Sequence, residues 1–498
     1  MIANDPRRIA GIFALAVLAA HLLTGHRYGY FRDELYFLAC GEHLDWGYVD
    51  HAPLVAVYAW VGRNVFGESV LGIRVLPALA AALKVLLTGA LTLQFGGGAF
   101  AVMLACLAVV IAPGYLAIDK LMTMNAFEPL YWMGAVSAAL AAMRRNPRWW
   151  LAAGAALGLG LENKHATAFF GIALLLGLLL GRQSRVLREK WLWAGVAVAA
   201  LIALPNVWWQ MRHGWPTLEM LANVKNSGKN VVLNPAAFLA QQILLLSPLS
   251  VLVWGGGLWH LLRDRSSQWM AWTYLCLLAL MIALEGKHYY LLPAYPMLLA
   301  AGGVFWSRFP SLWVRAGLPA AIAITTLPLV PFVIPVLPVE TLLWYQDAIR
   351  FQPPKTEVAH TGRLQQDYGD MFGWPEMVDA VARVYHSLPE EERRKAAILA
   401  GNYGEAGAID FFGPRLGLPK AISGHQNYFL WGPRDYNGDV LIVLQLRKAS
   451  VEPLFESVEV GPRVGHLLAM AEENFDILIC RGLKVPVAEL WPKVKAWR

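Results

Sequence analysis

Charge is what this sequence has least of. Only 15% of its 498 residues are Asp, Glu, Lys or Arg, while 57% are hydrophobic. A soluble globular chain carries about a quarter charged residues, so the deficit excludes that class and indicates a polytopic membrane protein. Cysteine is scarce too. Cys40, Cys106, Cys276 and Cys480 show no close spacing, and two of them lie in apolar runs. Neither a disulfide framework nor a thiolate metal site is supported; a Cys40–Cys480 bridge is the one pairing left open. The chain also lacks internal repeats, low-complexity tracts, HxxxH or HxH pairs and a small-x-small cleavage site before Gly25. Without that site, the apolar run after MIANDPRR reads as an uncleaved first helix rather than a removed signal.

What is present is length of apolar chain. A membrane helix needs roughly 20 mostly apolar residues. Segments 9–24, 69–94, 99–118, 126–143, 149–161, 165–181, 191–209, 236–262, 268–284, 290–306 and 312–336 approach that, predicting about eleven spans. The 21 Trp suit this class, because indoles gather where headgroups meet hydrocarbon. Basic residues fall in alternate short loops: Arg7 and Arg8; Arg144, Arg145 and Arg148; Arg182 to Lys190; Arg263 and Arg265; Arg308 and Arg315. Those loops are predicted to be cytoplasmic. This placement also accounts for the net charge of +7 without a nucleic-acid partner. Loops 25–68, 119–125, 162–165, 210–235 and 285–289 then share the outer face, with the C-terminal region.

The first outer loop is the polar centre of the chain. Its stretch YFRDELYFLACGEHLDWGYVDHAPL carries Asp33, Glu34, Glu42, His43, Asp45, Asp50 and His51. Within it, Glu34–Leu44 and Leu54–Phe66 have helical apolar spacing but are too short to span, so they are predicted to lie along the interface. From about residue 340 charge rises and apolar runs shorten. Strands are predicted at Ala397–Ala400, Val440–Gln445, Val458–Val460 and Ile477–Cys480. The predicted organisation is therefore a mostly α polytopic membrane domain, 1–339, and a small α/β soluble domain, 340–498.

The outer loops converge in composition. They bring Asp33 and Glu34, Arg74 near the second span, Asp119, Lys120, Asn125 and Glu128, the ENKH turn at Glu162–His165, Arg212, His213, Lys225 and Lys229, and EGKHYYLLPAYP from Glu285. Polar groups at the ends of several helices on one face suit a cavity at the membrane surface. A lipid-phosphate-linked sugar would need such a set. Its donor carbon becomes oxocarbenium-like as the bond to phosphate breaks, the departing phosphate needs cations, and the attacking hydroxyl needs a base. Asp33, with Glu34 beside it, is the candidate catalytic carboxylate. Arg74, Lys164, Lys287, His288 and His51 are candidate phosphate contacts, and Asp50, His165, Tyr290 and Arg212 candidate substrate contacts. Tyr289, Tyr290 and Tyr295 also read as interfacial anchors, and Lys164 and Lys287 as snorkelling helix ends. No cofactor is fixed; a divalent metal among His43, His51, His165, His213 and His288 is the alternative. Lys84 lies inside the second span and is placed either near the cytoplasmic surface or in a functional polar contact. In the C-terminal domain, Gly401–Gly413 reads as strand, turn and helix. That pattern can cradle a phosphate, but a plain turn fits its spacing better than a GxGxxG loop does.

These residues resemble the family 39, protein-mannosyltransferase-like membrane glycosyltransferases of the GT-C class, which include the bacterial lipid A aminoarabinose transferases. The resemblance covers roughly residues 9–336. It rests on RDE at Arg32–Glu34, Arg74, GLGLENKH at Gly158–His165 and GKHYYLLPAYP, in that order. It implies that Asp33 is the catalytic Asp and that Lys164 and Lys287 contact the donor phosphate. It also implies inverting transfer from a polyprenyl-phosphate sugar at the periplasmic face of the inner membrane, to lipid A or another envelope glycan. Relatives often carry Lys-Pro-Pro or Glu-Lys-Pro-Pro where this chain has Asp50, His51, Ala52 and Pro53. The C-terminal domain matches no recognised acceptor module. A transporter or lipid-linked-sugar flippase is the alternative from another class; such proteins carry ionisable sites near the midplane, often in paired repeats.

Overall fold

The computed structural model describes residues 5–350, 357 and 362–498. Its chain forms two compact units, each assembled from separated stretches. One comprises Met1–His26, Leu71–Trp208 and Val232–Leu342; the other Arg27–Val70, Trp209–Val231 and Leu343–Arg498. The first outer loop and part of the fourth thus fold with the C-terminal region, a grouping that a single linear boundary near 340 does not express.

The first unit is helical. Pro6–Thr24 starts at a capped end, where Asp5 Oδ1 accepts from Arg7 N at 2.9 Å and Pro6 fills the first helical position, whose N–H needs no partner. Val70–Gln94, Met124–Arg144, Trp149–Asn163, Thr167–Leu180, Lys190–Arg212, Gln268–Ala283 and Tyr295–Ser307 follow the predicted segments. Two predicted spans are bent. Ala99–Val110 and Pro113–Asp119 meet at 60°, and Pro235–Leu245 and Ser250–Arg263 at 109°. Each break precedes or contains a proline. Ala112 is driven to an extended ψ of 121° ahead of Pro113, the steric effect of a following pyrrolidine ring. Pro248 supplies no N–H in the second break, where Ser247 sits at φ 81°. The 236–262 stretch is therefore two helices rather than one continuous helix.

Four described helices are long and apolar enough to cross a membrane: Pro6–Thr24, Val70–Gln94, Lys190–Arg212 and Trp313–Phe332. Counting each bent pair as one span gives six. Helices pack closely where glycines meet. The Cβ missing from Gly257 would lie 2.7 Å from Gly302 N, so Ser250–Arg263 and Tyr295–Ser307 touch backbone to backbone, as small residues allow between apolar helices.

The second unit contains the two predicted short helices, Arg32–Glu42 and Leu54–Val61, the latter extended by a π-turn over Gly62–Phe66. It also contains Pro216–Ser227, a helix not foreseen in the fourth loop. Pro216 opens it and Gly228, at φ 63°, ends it, the expected asymmetry of proline at the start and glycine just past the end. The sheet has the order β1-β2-β4-β3, with β1 Ala396–Leu399, β2 Val440–Val443, β3 Phe455–Val464 and β4 Phe475–Leu483. β1 and β2 run parallel, and the other pairs antiparallel. All four predicted strands are present. Leu441, Val443, Phe455, Leu478 and Cys480 pack with Ile422 in its core. All four cysteines are free thiols, so no Cys40–Cys480 bridge forms.

Helix Tyr403–Phe412 lies against Arg32–Glu42. A Cβ on Gly407 would sit 2.8 Å from the carbonyl carbon of Leu35, so only glycine allows this approach. The turn before it is closed on itself: Asn402 Oδ1 accepts from Gly404 N at 2.8 Å and Glu405 N at 3.0 Å. Glu405 Oε2 takes Gly401 N at 2.8 Å. The donors a phosphate would use are thus already occupied, and the Gly401–Gly413 motif is the plain turn.

Candidate active site

In the second unit, Asp33 occupies the first turn of Arg32–Glu42, where a carboxylate also suits the positive helix end. Its Oδ1 accepts a 2.8 Å hydrogen bond from the Tyr403 hydroxyl, 370 residues away in sequence. Its other oxygen makes no hydrogen bond among the described residues, and the side chain is 32% exposed. The neighbouring Arg32 fixes this end of the helix. Its guanidinium lies 3.0 Å from Glu472, 3.5 Å from Asp370 and 3.8 Å from Asp33, and its backbone N–H donates to Asp370 O at 3.1 Å. Glu34 faces elsewhere. It is fully buried, and its Oε2 accepts from Phe31 N at 2.8 Å, so it caps the helix from the third position.

A second carboxylate is held in the same manner. Tyr36 donates to Asp50 Oδ1 at 2.8 Å, and the Tyr36 and Tyr403 rings lie 4.7 Å apart. Burial raises the Asp50 carboxyl to about 7, opposed by the Tyr36 hydrogen bond and reinforced by the negative charge of Asp33. His51 is buried and stacked on Tyr48 at 4.4 Å, with Nδ1 2.9 Å from Ala52 O. Burial lowers it to about 4, so the imidazole is neutral near pH 7. Its Nε2 lies 4.0 Å from Asp50 Oδ1. Arg212 is exposed at the end of Lys190–Arg212.

In the first unit, Lys164 is the organised cation. Its Nζ donates to Asn125 Oδ1 and Glu128 Oε2, both at 2.9 Å, and lies 4.2 Å from the centre of the Tyr290 ring. Those two bonds leave one of its three N–H donors without a hydrogen bond among the described residues. His165 Nε2 is 3.0 Å from Asn206 Oδ1. Lys287 immediately precedes the 3-10 turn His288–Ala294, and the buried His288 accepts through its carbonyl from Gln242 at 3.0 Å. Arg74 is buried and donates to Gly25 O at 3.1 Å. Lys84 pairs with Asp119 at 2.6 Å, both 1% exposed, which replaces a reach toward the cytoplasmic surface by a contact inside the helices. No group of three His, Cys, Asp or Glu side chains suited to a metal occurs among the described residues.

The structure thus gathers Asp33, Glu34, Asp50 and His51 in one unit, and Lys164 with Tyr290 in the other. Sequence reasoning missed Arg32, Tyr36 and Tyr403 as partners of the carboxylates. The RDE and VDH runs signalled Arg32 and Asp50 locally, but nothing in the sequence ties Tyr403 to Asp33.

A model of the dolichyl-phosphate-mannose-protein mannosyltransferase family matches residues 50–209. Among curated proteins, the lipid A galacturonosyltransferase RgtD of Rhizobium johnstonii is 26% identical over 250 residues, 48% of this chain and 50% of that protein. The chain therefore spans about half the length of this curated relative. Among solved structures, ArnT from Cupriavidus metallidurans bound to undecaprenyl phosphate superposes with a TM-score of 0.63 at 16% identity, and its apo form with 0.62 at 15%. Each match covers 94% of this chain and 97% of the other. The chain has that mostly helical membrane fold with a small C-terminal sheet. The resemblance to protein-mannosyltransferase-like GT-C proteins is borne out, and in fold it extends beyond residue 336 into the C-terminal region.

Proposed function

We propose that this chain is an inverting glycosyltransferase. It moves a sugar from a polyprenyl-phosphate donor to lipid A or another envelope glycan, at the periplasmic face of a bacterial inner membrane. The likeness over nearly the whole chain to a protein crystallised with undecaprenyl phosphate supports the donor class. The likeness to a lipid A galacturonosyltransferase supports the acceptor class. Eleven spans, with the C-terminal domain outside, is the topology we assign from the alternation of basic loops.

One observation carries the chemistry: Asp33 has one carboxylate oxygen fixed by Tyr403 and the other without a hydrogen bond among the described residues. In the proposed reaction the free oxygen takes the proton of the acceptor hydroxyl. The deprotonated acceptor oxygen attacks the anomeric carbon from the face opposite the phosphate, forming the new C–O bond. The bond from that carbon to the phosphate oxygen breaks, and the phosphate keeps the electron pair. Lys164, with its spare N–H, and Lys287 stabilise the released polyprenyl phosphate, since preorganised cations in a partly dry cleft act more strongly than in water. Arg74, His288 and His51 are assigned to the donor phosphate as well, and Asp50, His165, Tyr290 and Arg212 to substrate contacts. Glu34, spent as a helix cap, orients the Asp33 turn rather than carrying a proton.

The test is transfer by purified protein in detergent or vesicles, supplied with polyprenyl-phosphate sugar and lipid A. Product detected by mass spectrometry supports the reading. Counterflow of the lipid-linked sugar with no new glycosidic bond would assign the chain to the flippases instead.

A further inference from the structure

We propose that Tyr403 of the C-terminal domain is the positioning residue for Asp33, so that this domain completes the catalytic carboxylate rather than serving only as an appendage. The inference rests on the assignment of Asp33 as base.

Four observations converge on it. The Tyr403 hydroxyl donates to Asp33 Oδ1 at 2.8 Å. That leaves the other oxygen as the only one without a partner among the described residues, so a single hydrogen bond selects which lone pairs face the acceptor. The phenol is itself fixed: its ring stacks on His425 at 4.9 Å and packs on Tyr36 at 4.7 Å. The backbone bearing it is fixed as well, because Tyr403 N donates to His425 Nδ1 at 3.2 Å. Asn402 caps the first turn just before it. Finally, the missing side chain of Gly407 lets this helix lie against the Arg32–Glu42 backbone, which brings the hydroxyl within reach of the carboxylate.

A tyrosine placed this way does what a rigid second layer must do: it holds the reacting group in one rotamer before substrate arrives. A surface carboxylate on a short helix would otherwise exchange rotamers, and only a fraction of encounters would find it aligned. Asp50 is held by Tyr36 in the same way, so the two acids are locked by two packed tyrosines. The packing also explains why the C-terminal region carries an aromatic cluster at the start of a helix whose own phosphate-cradling donors are occupied.

The experiment compares Tyr403→Phe, Tyr403 replaced by 4-aminophenylalanine, and Asp33→Asn in the full chain. We expect Tyr403→Phe to lower kcat about tenfold to a hundredfold, the scale of a misplaced reacting group. KM for the lipid-linked donor and the thermal unfolding midpoint should stay near wild type. The amino variant, which keeps a donor at the same place, should recover most of the loss. Asp33→Asn should be inactive. If Asp33→Asn is inactive but Tyr403→Phe turns over at the wild-type rate, positioning is refuted while the base assignment stands. A Tyr403→Phe loss that tracks a fall in folded protein, or that 4-aminophenylalanine does not rescue, refutes it as well. An active Asp33→Asn overturns the base assignment itself.

Discussion

Lys84 and Asp119 form a salt bridge of 2.6 Å in which both side chains are 1% exposed, with the ammonium 4.1 Å from the centre of the Tyr115 ring. Each charge is tolerated there only because the other is present. Removing one partner leaves an uncompensated buried charge, which costs about 3–5 kcal/mol, whereas replacing both by apolar groups of similar volume is close to neutral. Lys84→Met and Asp119→Leu should each lower the unfolding midpoint of the detergent-solubilised protein sharply, and the double variant should recover most of it. Additive losses would contradict the pairing.

Lys164 presents the same physics with a functional arm. Its bonds to Glu128 and Asn125 hold the ammonium in place, and Glu128 is 2% exposed. Lys164→Ala should therefore do two separable things: destabilise the protein by leaving Glu128 unpaired, and raise the KM for the lipid-linked donor. Adding Glu128→Gln should restore the unfolding midpoint but not donor use. Restoration of both by the second change would show that Lys164 is structural only.

Asp50 gives the chain a predictable pH response. Its folded-state carboxyl is raised to about 7, chiefly by burial, whereas an unfolded Asp titrates near 4. The folded state thus holds a proton that the unfolded state has released. The stability this contributes is full below about pH 4 and is lost as pH rises through about 7. The wild-type unfolding midpoint should fall between about pH 4 and about pH 7, and Asp50→Asn should flatten that slope. Identical slopes in the two proteins would remove Asp50 as the cause.

Local signals were legible in the sequence, and contacts across it were not. The short helices after the first span follow from apolar spacing at 34–44 and 54–66, and the strands from alternating runs bounded by turns. Asp33 stood out through the RDE run in the polar first outer loop and its place in the family resemblance. The break between Leu245 and Ser250 was hidden because hydropathy averages over Pro248. The Pro216–Ser227 helix was hidden because a polar loop with one proline and one glycine gives little periodicity. The Lys84–Asp119 pair joins residues 35 apart, and the Asp33–Tyr403 bond residues 370 apart. Such partners are chosen by packing, so propensity and spacing carry no trace of them. The grouping of Arg27–Val70 with the C-terminal region has the same origin. It is enforced by Gly407 at the helix contact and by ion pairs such as Lys420–Glu42 at 2.6 Å, which no linear boundary would reveal.

The account depends most on the proton taken by Asp33, and one measurement reaches it directly. Purified Asp33→Asn protein, shown by its unfolding midpoint to be folded, is assayed beside wild type for sugar transfer from polyprenyl phosphate to lipid A. Asn keeps the shape and can still accept from Tyr403, but it cannot take up the proton. We expect donor binding to persist and product to fall below about a thousandth of wild type, within the range reported for loss of a general base. Turnover within a few-fold of wild type would contradict the account at its centre.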